Sequence, residues 1–367
     1  MRQKGGMAMR ALIAMSGGVD SSVAAYLMQQ AGYDCQGVTM RLYRSSDLGM
    51  ACHKTCCAET DAEDAALVCF RLGIAFEELN YSALFRYRVI ERFAAAYEAG
   101  LTPNPCVDCN RFMKFDTLLE HALSEGCDKL ATGHYARVGY CAERERWELR
   151  KAIDESKDQS YVLYMLTQRQ LAHLALPLGG YHKDEIRKIA REQGFVTAAK
   201  RESQDICFVP DGDYAAFLER WRGIYFSGGA LLDASGREIG RHRGAIRYTV
   251  GQRRGLGFAA GRRQYVVEKD MRRNTVTLGP ESALYHSALL AAEMNWLSIA
   301  EPAGPIRATA RTRYHQYERA ATVWPLPGGR ARILFDKPQR AITPGQAVVL
   351  YDGELVLGGG TITQVEA

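Results

Sequence analysis

The N-terminal fold is decided by the stretch ALIAMSGGVDSS at residues 11–22. Its first five residues are apolar and predict a buried β-strand, and helical periodicity begins at residue 22. The two glycines in between allow the backbone to approach a ligand closely, while the start of the helix presents free amide groups and a partial positive charge. The strand, loop and helix therefore predict a binding site for phosphate.

The polar side chains of this loop add to the predicted phosphate site. Ser16, Ser21 and Ser22 offer hydroxyl donors, and Asp20 could hold a magnesium ion that bridges phosphates. No lysine follows the glycines as it does in the P-loop of kinases and GTPases, so the pattern indicates a different phosphate grip. The alternative is a polar strand-to-helix turn in which Ser or Asp only caps the helix.

Outward from this loop, short apolar runs alternate with helical patterns, which is typical of a parallel sheet wrapped by helices. Strands are predicted at residues 11–15, 37–42, 75–80 and 129–132, and helices at residues 22–30, 61–72, 84–99 and 115–124. We therefore predict an α/β fold, with a doubly wound parallel-sheet domain at residues 10–134 that extends to about residue 160.

The pattern changes after residue 134. Helices are predicted at residues 157–167, 184–193 and 213–222, separated by loops rich in Gly, Pro and charge, so residues 160–228 are interpreted as a mixed, mostly helical linker domain. From residue 229 to residue 367, short alternating segments are separated by Asp-Gly, Gly-Gly and Pro-Gly turns. This pattern predicts an all-β C-terminal domain containing a small barrel.

Composition bounds the class of protein. The 367 residues are 47% hydrophobic and 24% charged, which is ordinary for a globular protein of two or three domains. The sequence has no run of about 18 apolar residues that could cross a membrane and no leader pattern before residue 10. We therefore expect a cytoplasmic protein that makes no contact with a membrane.

Arginines crowd the C-terminal third, although the net charge is only +5. They cluster in residues 237–243, 247–263 and 307–319. Tyrosines are interleaved with them, at Tyr248, Tyr265, Tyr314 and Tyr317. Such a surface is typical of proteins that contact phosphates and stack on nucleic-acid bases. Solvated strand faces are the alternative explanation of the same charges.

Two cysteine-bearing segments carry the candidate chemistry. Cys106 and Cys109 lie in TPNPCVDCNR at residues 102–111, where two prolines predict a stiff loop, and Cys207 lies in SQDICFV at residues 203–209. Paired cysteines on two loops suit sulfur transfer, because one can carry a persulfide and the other can attack the spent intermediate. A Cys-x-x-Cys is also typical of metal and redox sites, and Cys207 could be a buried core residue.

The motifs together resemble a known family. SGGVDS resembles the pyrophosphate loop of the ATP pyrophosphatases, which cleave ATP between the α and β phosphates. With both cysteine segments, and with further short motifs in the same order, the chain resembles the tRNA-specific 2-thiouridylases from residue 10 almost to its end. The further motifs lie at residues 37–40, 132–135, 157–161, 248–253, 313–314 and 343–346.

The resemblance implies an ATP-dependent tRNA-uridine 2-sulfurtransferase that uses ATP and Mg²⁺. The C2 oxygen of the wobble uridine attacks the α-phosphate, and sulfur then replaces the AMP-bearing oxygen to give 2-thiouridine. The residues that the resemblance assigns to ATP are Ala14, Met15, Ser16, Gly17, Gly18, Val19, Asp20, Ser21, Met40 and Gly133.

The resemblance also implies roles for the cysteines and for tRNA contacts. Cys207 carries the persulfide, and its sulfur is transferred directly or after Cys109 releases it through a transient disulfide. Asn104, Pro105 and Cys106 match the segment that meets the target base. The positions that match tRNA contacts are His134, Lys157, Asp158, Gln159, Arg313, Tyr314 and Gln346, each of which has a purely structural alternative. On this basis the linker domain and the C-terminal barrel both bind tRNA.

The implied partners are a tRNA with a wobble uridine and a protein that donates persulfide sulfur, which is a cysteine desulfurase or a sulfur relay. We expect the enzyme to be a monomer. Two other functions are compatible with parts of the sequence. An adenylating ligase with a small-molecule acceptor would share the phosphate loop, and a catalytically idle protein that binds tRNA or stores metal would share the basic C-terminal part. The basic C-terminal β domain argues against the small-molecule ligase. The intact phosphate loop and the cysteines argue against a catalytically idle protein.

Cys106 departs from the family pattern, in which many relatives have an aspartate proposed as the general acid or base. A thiol or the nearby Asp108 could take that role instead. Cys106, Cys109 and Cys207 could alternatively hold an iron-sulfur cluster that binds the sulfur donor. A further cluster, CHKTCC at residues 52–57, does not have the spacing of a standard zinc site and is interpreted as structural or redox-active.

Overall fold

A computed structural model describes residues 8–44, 59–200, 206–257 and 263–366. The chain divides into two compact units. The first contains Met1–Val89, Cys106–Pro210 and Glu354–Val356, and the second contains Ile90–Pro105, Asp211–Gly353 and Leu357–Ala367. Among the described residues, no helix is both long and apolar enough to cross a membrane.

The first unit is built on a parallel five-stranded sheet. The strands of this unit are β1 (Arg10–Ala14), β2 (Asp34–Arg41), β3 (Ala75–Asn80), β4 (Lys129–Ala131), β5 (Ala136–Cys141), β6 (Arg146–Lys151) and β7 (Leu174–Ala175). The sheet has the order β3-β2-β1-β4-β7, while β5 and β6 form an antiparallel hairpin. The chain therefore builds outward from β1 on one side and then restarts with β4 on the other. Ligands of such folds bind at this switch point, beyond the carboxyl ends of the strands.

Helices connect the strands of this sheet, and two further helices, Glu91–Glu98 and Tyr214–Arg222, belong to the second unit. The α-helices are Val19–Gln30, Glu59–Leu72, Ser82–Phe85, Glu91–Glu98, Pro105–Asp108, Leu119–Ser124, Gln168–Ala172, Lys183–Glu192 and Tyr214–Arg222. Arg86–Ile90 and Cys109–Leu118 are π-helical, and short 3₁₀ turns occupy Ser160–Val162, Pro177–Gly180, Val196–Ala199, Ala245–Arg247 and Glu281–Leu284. The doubly wound α/β fold predicted from the alternating pattern is confirmed.

The helix Val19–Gln30 sits close to the sheet because the residues that face the sheet are small or β-branched. Val23, Ala24 and Ala25 are fully buried, and they pack in one core with Ile13 of β1 and Ala131 of β4. Close packing of this kind fixes the end of the helix that carries the phosphate loop, since a core at this density leaves little room for movement.

The second unit contains two β-structures, as the alternating pattern after residue 229 predicts. One is a four-stranded sheet ordered β10-β11-β8-β9, and the other is an antiparallel set ordered β12-β15-β14-β13-β16-β17 in which β12 also pairs with β17, closing a barrel. The strands are β8 (Gly229–Leu232), β9 (Glu238–His242), β10 (Tyr265–Asp270), β11 (Thr275–Gly279), β12 (Tyr285–Trp296), β13 (Ile306–Arg311), β14 (Arg319–Leu326), β15 (Arg330–Arg340), β16 (Ala347–Asp352) and β17 (Leu355–Glu366).

The predicted stiff loop at residues 102–111 is wrong in its second half. A helix begins at Pro105 and continues without a break through Cys109–Leu118. Proline is tolerated at the first helical position, where its missing N–H has no intrahelical partner to lose. Buried Met113 and Phe115 then anchor the helix in the core. Cys106 and Cys109 therefore lie on a helix and not in a loop.

The predicted helix at residues 157–167 is also wrong. The segment contains only the 3₁₀ turn Ser160–Val162. The carboxylate of Asp158 accepts hydrogen bonds from the Ala152 amide, the Ser160 amide and the Ser160 hydroxyl, at 3.2, 3.2 and 2.8 Å. Aspartate side chains that bond nearby backbone amides in this way compete with helix formation.

Candidate functional site

The phosphate loop runs between β1 and the helix Val19–Gln30, and its first glycine is essential to its shape. Gly17 has φ of +67°, and a Cβ atom there would lie 2.2 Å from the carbonyl oxygen of Asp61. Both the positive φ and this close approach exclude other residues. Gly18 follows as the N-cap of the helix, so the first free amides of the helix face the loop.

The loop serines hold the loop together from inside. Ser21 Oγ accepts a hydrogen bond from the Ser16 amide at 3.1 Å and donates one to the Gly18 carbonyl at 3.1 Å. Ser22 Oγ donates to the same carbonyl at 2.9 Å and bonds the Thr197 hydroxyl at 2.9 Å. Ser22 is fully buried, whereas Ser16 is exposed. Ser16 is therefore better placed than Ser22 to donate to a ligand.

The other predicted ATP residues lie at the same edge of the sheet. Ala14 ends β1, and Met40 lies near the end of β2. Gly133 follows β4, and a Cβ there would lie 2.9 Å from both the Asp20 carbonyl carbon and the Ser21 nitrogen. The segment after β4 can pass this close to the loop only because residue 133 has no side chain. The structure thus brings the ends of β1, β2 and β4 around the loop.

Asp20 is paired with a buried lysine that the sequence pattern did not single out. Lys183 Nζ donates to both carboxylate oxygens of Asp20 at 2.7 and 2.8 Å, and the Tyr135 hydroxyl donates to Oδ1 at 2.7 Å. Only 9% of the Lys183 side chain is exposed. Lys183 thus places an ammonium group beside the loop, paired with the Asp20 carboxylate. The sequence holds one weak local signal, because a lysine at the first position of a helix opposes the helix dipole.

A second lysine ties the loop to the next helix. Lys200 Nζ donates to the Gly17 carbonyl at 2.9 Å, to Asp64 at 2.6 Å and to Asp61. Burial lowers the pKa of Lys200, but its hydrogen bonds to Asp61 and Asp64 outweigh this effect and raise the pKa above its usual value. Lys200 therefore stays charged and offsets part of the negative charge of the two carboxylates beside the loop.

His134 is buried and neutral. Burial, together with the nearby Lys114 ammonium, holds the pKa of His134 well below its usual value. Lys114 Nζ lies 3.5 Å from Nε2, and since an ammonium group only donates, the ring proton belongs on Nδ1, which is 2.7 Å from the Thr132 hydroxyl. Both ring nitrogens of this predicted tRNA contact are engaged within the protein.

Cys109 and Cys207 lie on segments that approach one small helix. The helix Ser82–Phe85 packs against the π-helix that begins at Cys109, and the Phe85 ring lies 5.8 Å from the Phe208 ring. The backbone carbonyl of Cys207 accepts a hydrogen bond from the Tyr43 hydroxyl at 2.7 Å. Both thiols are partly exposed, and Cys106 is exposed. These exposures suit reactive thiols better than core residues.

The suggested iron-sulfur site is not assembled in this structure. Among residues 8–44, 59–200, 206–257 and 263–366, no group of three His, Cys, Asp or Glu side chains lies close enough to hold a metal ion. Cys106, Cys109 and Cys207 are therefore not brought together as a ligand set. The CHKTCC cluster at residues 52–57 and the first part of the Cys207 motif, residues 203–205, lie outside the described residues.

The tRNA-contact candidates of the first unit differ in accessibility. Asp158 is buried and bonded to the backbone, as described above. Gln159 accepts from the Tyr135 amide at 2.9 Å through its side-chain oxygen, and Lys157 is partly exposed. The geometry therefore gives Asp158 and Gln159 a structural task, while Lys157 and Gln159 are both partly exposed.

The candidates of the second unit also make internal contacts. One guanidinium nitrogen of Arg313 donates to the carbonyls of Val250 and Ala341 and to the Thr343 hydroxyl, at 3.1, 3.0 and 2.7 Å. Gln346 Nε2 donates to the Thr102 carbonyl at 2.8 Å.

Tyr314 is partly exposed beside His315. The Gln346 bond fixes the segment that leads to Asn104 and Pro105, both of which belong to this unit.

Three family models match successive parts of the chain. They are described as a tRNA methyl transferase HUP domain for residues 9–211, a tRNA methyl transferase PRC-barrel domain for residues 216–280 and an aminomethyltransferase beta-barrel domain for residues 286–362. The first model alone spans more than half of the chain, and the second and third correspond to the four-stranded sheet and the closed barrel.

The chain is also similar over almost its whole length to proteins named tRNA-specific 2-thiouridylase MnmA. It is 47% identical over 355 residues to the one from Pelotomaculum thermopropionicum, covering 96% of this chain and 97% of the relative. The relative from Moorella thermoacetica is 49% identical over 354 residues, and that from Acetivibrio thermocellus is 44% identical over 354 residues, with 96% of this chain and 99% of the relative covered in each case.

Proposed function

Since this chain belongs to the tRNA-specific 2-thiouridylase family, we propose that it is a cytoplasmic enzyme that converts the wobble uridine of tRNA to 2-thiouridine with ATP and a persulfide. The proposal is supported by two features that the first unit combines. One is a phosphate loop at the switch point of the sheet, and the other is a pair of partly exposed cysteines on segments that meet at Ser82–Phe85.

The loop supports adenylation of the base. In the proposed reaction the uridine O2 attacks the α-phosphorus, the bond to the β-phosphate breaks and pyrophosphate leaves. The free amides after Gly18 and the Lys183 ammonium offset the negative charge that grows on the leaving phosphates. Asp20 is the hard oxygen donor beside the loop that would hold Mg²⁺, in exchange for its present hydrogen bonds from Lys183 and Tyr135, and the ion would neutralise phosphate charge when bound.

The cysteines support the sulfur step. The terminal sulfur of a Cys207 persulfide attacks C2 of the adenylated base, and AMP leaves with the former O2. Cys109 then attacks the sulfur of Cys207, which releases 2-thiouridine and leaves a Cys109–Cys207 disulfide. Alternatively, Cys109 first releases the terminal sulfur as hydrosulfide, which attacks the base. Either route forms the same disulfide, and a thiol reductant must reopen it.

In this proposal the accessible basic and aromatic residues of both units contact the substrate tRNA. We assign adenylation and sulfur transfer to residues 10–134 and Cys207, and tRNA binding to residues 160–228 and 229–367. Lys157 and Tyr314 are the accessible tRNA contacts. The other candidates act by holding the backbone in place, and they are His134, Asp158, Gln159, Arg313 and Gln346. A base flipped from the anticodon stack meets Asn104, Pro105 and Cys106. The sulfur donor is a cysteine desulfurase or relay protein, and the enzyme acts as a monomer.

A direct assay tests the proposal. Unmodified tRNA, ATP, Mg²⁺ and a persulfide-loaded desulfurase are incubated with the protein, and the digested nucleosides are analysed by mass spectrometry. We expect 2-thiouridine from the wild type, none from Cys109→Ser or Cys207→Ser, and a normal yield from Cys141→Ser, a partly exposed cysteine of the same unit. Thiolation that survives in the double Cys109→Ser, Cys207→Ser variant would show that the proposed mechanism is wrong. Iron analysis of an anaerobically purified active sample decides the cluster alternative.

A further inference from the structure

We propose that Cys106 is the resolving thiol that reopens the Cys109–Cys207 disulfide after each turnover. This inference rests on the proposed function and names a step that the function leaves to an outside reductant. Both helix cysteines lie where a helix replaces the predicted loop. Cys106 and Cys109 are three residues apart on continuous helical backbone, so their side chains project from the same face.

The helical spacing brings the two thiols within reach of each other. Side chains at positions i and i+3 of a helix have Cβ atoms about 5–6 Å apart. Disulfides span Cβ distances of about 3.5–4.5 Å, so a small adjustment of the first turn closes the bond. Beyond this turn, Asn110 Nδ2 donates to the Val162 carbonyl at 3.0 Å and fixes the rest of the helix.

Exposure separates Cys106 from the other cysteines. Cys35, Cys69 and Cys127 are buried, and burial raises the pKa of Cys35 to about 11 and that of Cys69 to about 12. These thiols stay protonated and out of reach of a reductant. Within the described part of the chain, Cys106 is the exposed cysteine next to Cys109. An exposed thiol is the one that a solution reductant can reach.

The exchange balances without any further group. The Cys106 thiolate attacks Sγ of Cys109, the Cys109–Cys207 bond breaks, and Cys207 leaves as a thiolate that is ready for a new persulfide. The products are a Cys106–Cys109 disulfide and a free carrier cysteine. A thiol reductant then supplies two electrons to the exposed Cys106 sulfur, which returns both helix cysteines to thiols and oxidises the reductant to its own disulfide.

The amounts of 2-thiouridine formed in the first turnover and in later turnovers distinguish a resolving role of Cys106 from a role in the base chemistry. Wild type, Cys106→Ser, Cys106→Asp and the control Cys141→Ser are run with persulfide-loaded desulfurase, ATP and tRNA, with glutathione as the reductant. We expect both Cys106 variants to convert about one equivalent of tRNA to 2-thiouridine and then to stop, whereas Cys141→Ser continues through later turnovers as the wild type does. Non-reducing mass spectrometry should find the Cys109–Cys207 disulfide in the stalled variants and a Cys106–Cys109 disulfide in wild type that lacks reductant.

Three results would overturn the inference. Later turnovers at the wild-type rate in Cys106→Ser remove the need for a resolving thiol. Loss of the first turnover in that variant, with its melting temperature unchanged, places Cys106 in the base chemistry instead. A Cys109–Cys207 disulfide as the sole oxidised species of wild type shows that no exchange occurs. Failure of the proposed function itself looks different, because wild type then makes no 2-thiouridine in any turnover.

Discussion

Lys183 donates hydrogen bonds to both carboxylate oxygens of Asp20, although 163 residues separate the two in the sequence. The pair joins the phosphate loop to the start of the helix Lys183–Glu192. It places a largely buried ammonium group beside the amides that follow Gly18. The proposed phosphate site therefore combines two distant segments of the chain and not one continuous motif.

Replacement of Lys183 by Met should slow AMP formation strongly. The change removes a charge that stabilises the departing pyrophosphate, and the loss of one such group typically lowers the rate by about 10²–10³-fold. The measurement is kcat/KM for tRNA-dependent AMP release. The control is Lys188→Met on the same helix, where the side chain is 72% exposed and its ion pair with Glu192 contributes little. Equal rates for the two variants would refute this role of Lys183.

Gly133→Ala should weaken ATP binding. The new methyl group would lie 2.9 Å from the backbone of Asp20 and Ser21, so either the loop or the segment after β4 must move. Forced overpacking of this kind costs about 1–3 kcal/mol. We expect a lower melting temperature and a higher KM for ATP. Gly139→Ala on β5 is the matched control, because no atom lies within 4 Å of its new methyl group. A KM for ATP that stays at the wild-type value in Gly133→Ala contradicts the close approach.

Lys200→Met should raise the KM for ATP several-fold. Without the ammonium group, the carboxylates of Asp61 and Asp64 face the anion site with no compensating charge, and the Gly17 carbonyl loses its donor. A double variant that adds Asp64→Asn removes one of these charges and should recover part of the lost affinity. Isothermal titration with a non-hydrolysable ATP analogue measures both. A double variant that binds more weakly than Lys200→Met argues against charge as the cause.

Acid should destabilise the protein through His134. Above about pH 6.5 the imidazole is neutral in both the folded and the unfolded states. Below that pH the unfolded chain binds a proton that the folded protein accepts only at lower pH, because the pKa of buried His134 is depressed. The free energy of unfolding should then fall by about 1.4 kcal/mol per pH unit until the folded pKa is reached. Urea unfolding at neutral and acidic pH measures the fall, which should be smaller in His134→Gln. An identical fall in that variant would contradict this assignment.

Local patterns predicted much of the fold. The strand predicted at residues 75–80 matches β3, and the predicted helix at residues 184–193 is shifted by one residue from Lys183–Glu192. Apolar periodicity is a local property, so it can be read from a short window. The edge that gathers the phosphate loop, Met40 and Gly133 follows from the rule that parallel strands bring their carboxyl ends together.

The secondary-structure predictions were wrong where a side-chain hydrogen bond, or the position of a residue within its helix, counted for more than the local sequence pattern. Two prolines indicated a loop at residues 102–111, but Pro105 occupies the first helical position, where proline is accepted. Asp158 bonds its neighbouring amides and prevents a helix that periodicity favoured. Lys183 and Lys200 were missed because their partners at the loop are more than 160 residues away. Contacts of this range depend on how whole segments pack, which a motif does not encode.

The most direct test of the account follows the oxygen that sulfur replaces. A tRNA is prepared with the heavy isotope of oxygen at C2 of its wobble uridine, and one turnover is run with ATP and persulfide-loaded desulfurase. If ATP activates that oxygen, the AMP released must carry the heavy isotope in an amount equal to the 2-thiouridine formed. Formation of 2-thiouridine together with unlabelled AMP would contradict adenylation of the base.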